Sequence, residues 1–136
     1  MKEYEVTAAV IRRGGKVLLC GRKPGAALGL CYEFPGGKAE PGESLAECLR
    51  REMGEELGTD VWVLDELGSN TVTVGEKVYH LHFLRAVLRS GAPEPQPREG
   101  QAMLWFPTAD LDHAGMLPGD AAIAARLAFS EKTGKF

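Results

Sequence analysis

The sequence predicts an α/β sandwich, in which a mixed β-sheet is covered by helices. Strand-like runs stand on both sides of one well-delimited amphipathic helix, and a second amphipathic segment comes near the end of the chain. This order of elements is typical of a sheet that packs between helices. The chain has 136 residues, which is near the commonest domain size, so we expect a single domain over residues 1–136.

The first two elements form a predicted β-hairpin. Residues 4–11 (YEVTAAVI) and 16–20 (KVLLC) are rich in strand-forming residues, and an Arg-Gly-Gly tripeptide at 13–15 separates them. Short connections that contain glycine are the usual sign of a hairpin between two such runs. The glycine-rich residues 21–33 that follow are predicted to form a loop.

The next stretch, residues 34–43 (FPGGKAEPGE), contains proline and glycine at a density that neither a helix nor a central strand tolerates. We therefore predict irregular structure that leads into a helix over residues 44–57. Ser44 and Glu47 have the spacing of a capping box at the start of this helix, and Gly58 suits its end.

The second half of the chain is predicted to be mostly strand. Residue patterning indicates strands at 60–64, 70–74, 77–88 and 102–106, an exposed proline-rich loop at 92–98, a helical turn at 108–113 and a helix at 120–129. Strands before and after the first helix complete the predicted mixed sheet.

Charge and cysteine content exclude some classes of partner and site. The formal net charge is −3, whereas a surface that binds a nucleic-acid duplex needs clustered lysine and arginine. A small polyanion is still compatible, because a divalent cation can supply positive charge locally. Cys20, Cys31 and Cys48 form no CxxC pair and are predicted to be reduced thiols. Since there is no signal-like or membrane-length apolar run, we expect a cytoplasmic protein and no membrane partner.

The acidic residues of the predicted helix 44–57 indicate a metal site. At about 100° per residue, the helix has its apolar side at Leu45, Cys48, Leu49 and Met53. Glu52 and Glu56 fall inside this apolar stripe, and Glu55 lies at its edge. The solvent side holds Glu47, Arg50 and Arg51. Like charges three and four residues apart repel, more strongly when buried, and a hard divalent cation with oxygen ligands would offset the repulsion.

The glycine-rich segment before this helix fits the same interpretation. Glycine lets the backbone turn tightly and come close to a ligand or a metal. A Pro-Gly-Gly turn is in itself only a turn, but its position directly ahead of the acidic helix favours a functional role.

The same residues carry a resemblance to a known family. Residues 37–59, GKAEPGESLAECLRREMGEELGT, resemble the Nudix box, G-x5-E-x7-R-E-U-x-E-E-x-G-U, and match each of its fixed residues. Thr59 departs from the pattern, which prefers an aliphatic residue there, and we expect this to affect packing. The flanks YEFPGGK (32–38) and REGQAMLW (98–105) resemble the MutT-type members of the family. HLHF (80–83) and LPGDAAIAA (117–125) are similar to their CTP pyrophosphohydrolase branch.

The resemblance implies a Nudix-type α/β/α sandwich and a metal-dependent hydrolase. Glu52, Glu55 and Glu56 would bind Mg²⁺, which Mn²⁺ can replace, together with the carbonyl of Gly36. Glu99 would complete the site, either as a metal ligand or by taking a proton from water. Gly37 and Gly58 would be structural positions of the motif.

The resemblance also implies residues around the substrate. Arg51 would pair with Glu43 and fix the preceding loop onto the helix, while Arg22 and Lys38 would contact phosphates. The positions that correspond to the surroundings of the nucleobase are Phe34, Lys77 and Asp120.

Several assignments stay open at the level of sequence. Glu52 is our first choice to deprotonate the attacking water, with Glu99 second. Asp120 could contact the base, cap the following helix, or do both. Phe34 could stack on a base or belong to the core.

Two histidines suggest a different kind of site. His80 and His82 alternate along a predicted strand and so face the same side. No third nitrogen or sulfur ligand is close in sequence, so we favour strand packing or hydrogen bonding over zinc.

We predict that the chain hydrolyses a nucleoside triphosphate to the monophosphate and pyrophosphate, with 8-oxo-dGTP and CTP or dCTP as candidate substrates. The alternatives are another diphosphate-linked nucleotide, such as a nucleotide sugar or a dinucleoside polyphosphate, and a nucleotide-binding module without activity. The short chain disfavours the first alternative, and the complete set of acids disfavours the second. We expect a monomer or a homodimer.

Overall fold

The computed structural model describes residues 2–21 and 32–134. Strands β1 (Lys2–Arg13) and β2 (Lys16–Gly21) form the predicted hairpin, which is confirmed. Most of the predicted loop 21–33 lies outside the described residues. Its last two residues form a short strand, β3 (Tyr32–Glu33), which pairs antiparallel with β2.

The proline- and glycine-rich stretch contains a strand that the sequence did not predict. β4 (Gly36–Lys38) pairs antiparallel with β1, so the assignment of residues 34–43 to wholly irregular structure was wrong. The pairing is tolerated because it lasts only three residues, and both prolines fall outside it and remove no hydrogen bond from the ladder.

The sheet is mixed, as predicted. β6 (Lys77–Leu88) runs parallel to β1, and β5 (Val61–Val74) pairs antiparallel with β6. β7 (Ala102–Pro107) pairs antiparallel with β2. The two strands predicted at 60–64 and 70–74 are one strand, whose register with β6 shifts between Val63 and Gly68. This irregularity explains why the alternating pattern breaks there.

A helix covers each face of the sheet, which confirms the α/β/α sandwich. Along β1, Ala9 and Ile11 pack in one core cluster with the buried side of α1 (Leu45–Leu57). Ala8 and Val10 point the other way and pack in a second cluster with α2 (Ala121–Thr133). Both faces of β1 are therefore buried, as its unbroken apolar run indicates.

The ends of α1 follow the predicted signals. The Ser44 hydroxyl accepts a hydrogen bond from the Glu47 backbone N–H at 3.1 Å, and the Glu47 carboxylate accepts from the Ser44 N–H at 2.9 Å. Gly58 ends the helix in the left-handed conformation with φ of 62°. Thr59, the departure from the family pattern, is buried, and its hydroxyl donates to the Pro93 carbonyl at 2.6 Å. The Thr59 hydroxyl thus attaches the loop 92–101 to the end of α1.

The remaining elements lie close to their predicted bounds. A 3₁₀ helix occupies Thr108–His113, where a helical turn was predicted, and α2 continues four residues beyond its predicted end at residue 129. Both α-helices have 13 residues, and in the described part of the chain no helix is long and apolar enough to cross a membrane.

Candidate active site

The acids of α1 differ in exposure as the helical geometry predicts. Cys48, Leu49, Met53 and Leu57 are buried against the sheet. Glu52 lies beside this apolar side with its side chain 15% exposed, and Glu56 is also half-buried. Glu55, which was placed at the edge of the stripe, is 55% exposed. Two carboxylates are therefore held away from bulk water.

Two glycines of β4 bring the backbone against these carboxylates. A Cβ atom on Gly37 would stand only 2.5 Å from the Glu52 carboxyl carbon, so no other residue fits there without moving Glu52. The N–H of Gly36 donates a hydrogen bond to the Glu56 carboxylate. Thr7 supports this arrangement from β1, because its hydroxyl donates to the Gly37 carbonyl at 3.3 Å. The Pro-Gly-Gly segment is thus packed directly on the acidic face of the helix.

The charges of this cluster are incompletely compensated. Burial, together with the negative charges of Glu52, Glu99 and Glu33, raises the pKa of Glu56 to about 8. Burial also raises the pKa of Glu52, although the Arg51 guanidinium opposes the shift. A carboxyl group with a pKa near 8 is mostly protonated at neutral pH unless a cation comes close.

Glu99 reaches the cluster from the proline-rich loop. Its side chain is exposed, but its charge acts on both Glu52 and Glu56. The loop is fixed on the end of α1, since the Arg98 N–H donates to the Glu56 carbonyl at 2.9 Å and the Gln96 N–H donates to the Leu57 carbonyl at 3.0 Å. The loop predicted to be merely exposed therefore also supplies hydrogen bonds to the helix end.

Arg51 holds the loop before α1 onto the helix. Its guanidinium donates to the Glu43 carboxylate at 2.8 and 3.0 Å and to the Lys38 carbonyl at 2.9 Å. The predicted pair with Glu43 is present. The Arg51 side chain is only 23% exposed, because it turns toward these acceptors. The prediction that Arg51 points into solvent was therefore wrong. The hydrogen bonds from Arg51 lower the pKa of Glu43 to about 2.

A cavity of about 410 Å³ opens on the other side of β4. Its walls are mostly apolar and come from β1, β5, β6 and the segment before α2. Gly36 and Gly37 line it, so the same two residues border the cavity on one side and the carboxylates on the other. A site of this size with few polar groups is typical of small-ligand binding.

Two of the three predicted base-binding residues line this cavity. Phe34 is 4% exposed and packs edge-on against Phe83, so it belongs to the core and to the cavity wall at once. Asp120 is 8% exposed and accepts a hydrogen bond from the Phe34 N–H at 3.0 Å. It stands at the N-terminus of α2, but its side chain makes no capping hydrogen bond, so the capping role was wrong. Burial raises the pKa of Asp120 to about 7.

Of the cationic residues predicted to contact the substrate, Lys38 lies beside the cavity and Lys77 does not line it. The Lys38 ammonium lies over the Tyr4 ring at 4.5 Å and the Tyr79 ring at 5.6 Å, and Tyr79 lines the cavity. Lys77 stands at the exposed start of β6 and is not among the described residues that line the cavity. Arg22 lies outside the described residues.

Sequence reasoning missed Glu33. This residue lines the cavity, and its charge contributes to the raised pKa of both Asp120 and Glu56. It was passed over because residues 21–33 were predicted as a loop. Its position directly before Phe34 was the available signal.

His80 and His82 form hydrogen bonds, as favoured over zinc binding. Nε2 of His80 lies 2.7 Å from Glu3, and the two ring nitrogens of His82 lie 2.8 Å from Glu5 and 3.1 Å from Glu66. With both nitrogens engaged, His82 has no lone pair left for a metal.

The chemistry of the helix acids fits a hard divalent cation. Carboxylate oxygens are the ligands that Mg²⁺ and Mn²⁺ prefer, and the raised pKa values of Glu52 and Glu56 show that the protein alone stabilises their charged forms poorly. Within residues 2–21 and 32–134, no three His, Cys, Asp or Glu side chains are already arranged around one metal position.

Comparison with known proteins agrees with this geometry. Residues 1–127 match the model of the NUDIX domain. The chain is 36% identical over 120 residues to the CTP pyrophosphohydrolase of Escherichia coli (strain K12), covering 88% of this chain and 87% of that protein. It is 33% identical over 129 residues to the putative 8-oxo-dGTP diphosphatase 2 of Mycobacterium tuberculosis (strain H37Rv), covering 90% of this chain and 86% of that protein.

A solved structure shares the fold. The solution structure of the E. coli ORF135 protein superposes with a TM-score of 0.83 and 31% sequence identity, covering 99% of this chain and 94% of that one. With the family match over most of its length and the glycine-lined carboxylate helix at its centre, the chain is a member of the Nudix family of hydrolases.

Proposed function

We propose that the protein is a Mg²⁺-dependent nucleoside triphosphate pyrophosphohydrolase. It would convert a (d)NTP and water to the (d)NMP and pyrophosphate. The observation that carries the proposal is the shared wall at Gly36 and Gly37, which places an apolar cavity next to the half-buried carboxylates of Glu52 and Glu56. The base of a nucleoside needs an apolar cavity, and a polyphosphate with its cation needs carboxylates.

The nucleobase would occupy the cavity. Phe34 would contribute an aromatic wall, and Asp120 can accept a hydrogen bond from an exocyclic amino group or a ring N–H. Because the pKa of Asp120 is raised to about 7, its neutral form can also donate a hydrogen bond to a base near neutral pH. Lys77 would need to reach the base from outside the cavity wall.

The phosphates would extend from the cavity past β4 to the helix acids. Lys38 is at the right border for a phosphate contact, since it lies over Tyr79, which lines the cavity. Arg22 is proposed for the same role from the resemblance alone.

Glu52, Glu55, Glu56 and Glu99, with the Gly36 carbonyl, would hold the metal. A divalent cation at this place supplies charge neutralisation of the polyphosphate and activation of water. Mn²⁺ should replace Mg²⁺, because both accept oxygen ligands. The protein's part is then to position the phosphates and to exclude bulk water from the buried carboxylates.

Glu52 is our first choice for the residue that takes a proton from the attacking water. Burial raises its pKa, which makes it a better base than an exposed carboxylate. Glu99, whose side chain is exposed, is the second choice. The pH–rate profiles of Glu52→Gln and Glu99→Gln separate the two: the variant of the true base loses the acidic limb of the profile, and the other variant keeps it.

The preferred substrate is proposed from the relatives, whose names point to CTP and 8-oxo-dGTP. The test is pyrophosphate release with Mg²⁺, and with EDTA as control, from a panel of CTP, dCTP, 8-oxo-dGTP, the unmodified triphosphates, a nucleotide sugar and a dinucleoside polyphosphate. We expect metal-dependent cleavage of triphosphates. Cleavage of only the other diphosphate linkages, or binding without release, would replace the proposal.

The cytoplasmic location and the monomeric or dimeric state stay predictions.

A further inference from the structure

One side chain links the loop that carries Glu99 to the helix that carries Glu56. The Gln101 side-chain carbonyl accepts a hydrogen bond from the Glu99 backbone N–H at 2.8 Å. The same amide donates through Nε2 to the Glu56 backbone carbonyl at 3.2 Å. Gln101 is half-buried, whereas Glu99 is exposed.

This double contact needs a neutral amide. A carboxylate of equal length offers acceptors only, and an apolar side chain offers neither a donor nor an acceptor. The donor serves one of the last carbonyls of α1, which has no partner within the helix. The acceptor fixes the peptide N–H of the residue whose side chain is proposed for the site.

Glu99 needs such a tether because its neighbours repel it. Its charge faces those of Glu52 and Glu56, which repel it. The next residue, Gly100, has φ of 76°, so the chain turns sharply directly after Glu99. Beyond Gln101, the backbone bond from Arg98 to Glu56 is the nearest attachment of this turn to the helix.

We propose that Gln101 is a positioning residue, whose amide sets where the Glu99 carboxylate stands relative to the acids of α1. The inference rests on the proposed function, because it assigns Glu99 a task at the same site. Gln101 does not touch the reacting atoms and acts through the backbone of Glu99.

The test replaces Gln101 by methionine, which keeps the length of the side chain and removes both hydrogen bonds. Hydrogen exchange reports the tether directly: the Glu99 amide should exchange at least about 10-fold faster, while the Arg98 amide keeps its protection. With Mg²⁺ and nucleotide, kcat should fall about 10-fold with KM within about 2-fold, since a misplaced group costs turnover more than binding.

The matched control is Gln96→Met. Gln96 is an exposed glutamine of the same loop, and its backbone N–H, which bonds to the Leu57 carbonyl, is kept in the variant. Exchange at Glu99 and kcat should both match the wild type. If Gln101→Met does not fold, Gln101→Glu is the second variant. It keeps the acceptor for Glu99 but not the donor to Glu56, so kcat should still fall.

A double-mutant cycle shows whether Gln101 acts through Glu99. Glu99→Gln and the double variant Glu99→Gln/Gln101→Met should have the same kcat within about 2-fold. Three outcomes would each overturn the inference. The double variant could lose kcat by the product of the two single losses, or Gln101→Met could leave the Glu99 exchange rate or kcat at the wild-type value.

Comparing Glu99→Gln with Glu56→Gln separates this inference from the proposed function. If Glu99→Gln turns over normally while Glu56→Gln is inactive, Glu99 has no task at the site; the positioning role falls, and the proposed function stands. If Glu56→Gln is fully active as well, the proposed function itself has failed.

Discussion

Two glutamates, Glu43 just before α1 and Glu56 in its last turn, show opposite uses of a negative charge. Glu43 accepts two hydrogen bonds from Arg51 and one from the Glu40 N–H, and its pKa is lowered to about 2. Glu56 is buried beside other acids, and its pKa is raised to about 8. The residue type is the same, so the difference lies wholly in the surroundings. A paired charge secures the local structure, whereas an uncompensated one is kept available for a ligand.

The largest effect is expected from Glu56→Gln. The substitution keeps the shape of the side chain and removes the charge that would hold the cation, so turnover with Mg²⁺ should fall by about 1,000-fold, equivalent to about 4 kcal/mol of activation free energy. Glu43→Gln is the contrasting variant: it leaves Arg51 without its main partner, so the melting temperature should drop while turnover falls far less. Pyrophosphate release and thermal unfolding measure the two effects. Near-wild-type hydrolysis by Glu56→Gln would show that the helix acids hold no catalytic metal.

The next effect concerns stability of the metal-free protein against pH. The pKa of Glu56 is about 8 in the folded state and about 4.3 in an unfolded chain. Between these values the folded protein binds a proton that the unfolded chain lacks, so the free energy of unfolding decreases as pH rises from about 5 to 8. Asp120 adds to the same trend, and the difference between wild type and Glu56→Gln isolates Glu56.

Urea unfolding in EDTA at pH 5 and pH 8 measures this difference. From these two pKa values, the wild type should lose on the order of 3 to 4 kcal/mol more than Glu56→Gln over the interval. Mn²⁺ added at pH 8 should restore the wild type and leave the variant unchanged, because ligand binding to the folded state stabilises it. Parallel pH curves for the two proteins would mean that Glu56 is not buried without a partner.

Sequence patterning predicted the helix and its acids because both depend on local rules. Capping residues fix where α1 begins and ends, and a turn of about 100° per residue fixes which acids face inward. Patterning failed where the outcome depends on distant partners. β4 exists because β1 offers it a free edge, and the side chain of Asp120 turns to the Phe34 N–H instead of capping its own helix.

Glu33 shows a further limit of local reasoning. Local patterning around Glu33 does not indicate that it lies near Glu56 or Asp120, which are 23 and 87 positions away. The pairing of β3 with β2, together with the backbone hydrogen bonds of Tyr32 with Gly115 and Leu117, brings its charge near both groups. The family resemblance helped most at such long-range positions, since it had already placed Phe34 and Asp120 at one site.

Asp120 extends the comparison to the cavity, because it too is a buried acid with a raised pKa. Asp120→Asn keeps an oxygen for the Phe34 N–H but can no longer change its charge. We expect kcat/KM for the preferred nucleotide to fall about 10-fold, or about 1.4 kcal/mol, mainly through KM. Less preferred nucleotides should change less, and Asp110→Asn serves as control, because Asp110 is exposed on the 3₁₀ helix and is not among the described residues that line the cavity. Equal losses for every base would assign Asp120 to folding alone.

The smallest effect is expected at His82, a half-buried side chain whose two ring nitrogens are both paired with carboxylates. Although burial opposes it, hydrogen bonds with Glu5 and Glu66 raise the pKa of His82, so its contribution is complete below about pH 6.5 and is lost as pH rises through the folded value. His82→Gln should therefore lower the free energy of unfolding by less than about 1 kcal/mol at pH 6, by less still at pH 9, and leave turnover unchanged. Urea unfolding at both pH values and pyrophosphate release test this. A loss of turnover would mean that His82, although paired with Glu5 and Glu66, takes part in the chemistry. Charge pairing would then no longer distinguish the structural charges of this fold from the functional ones.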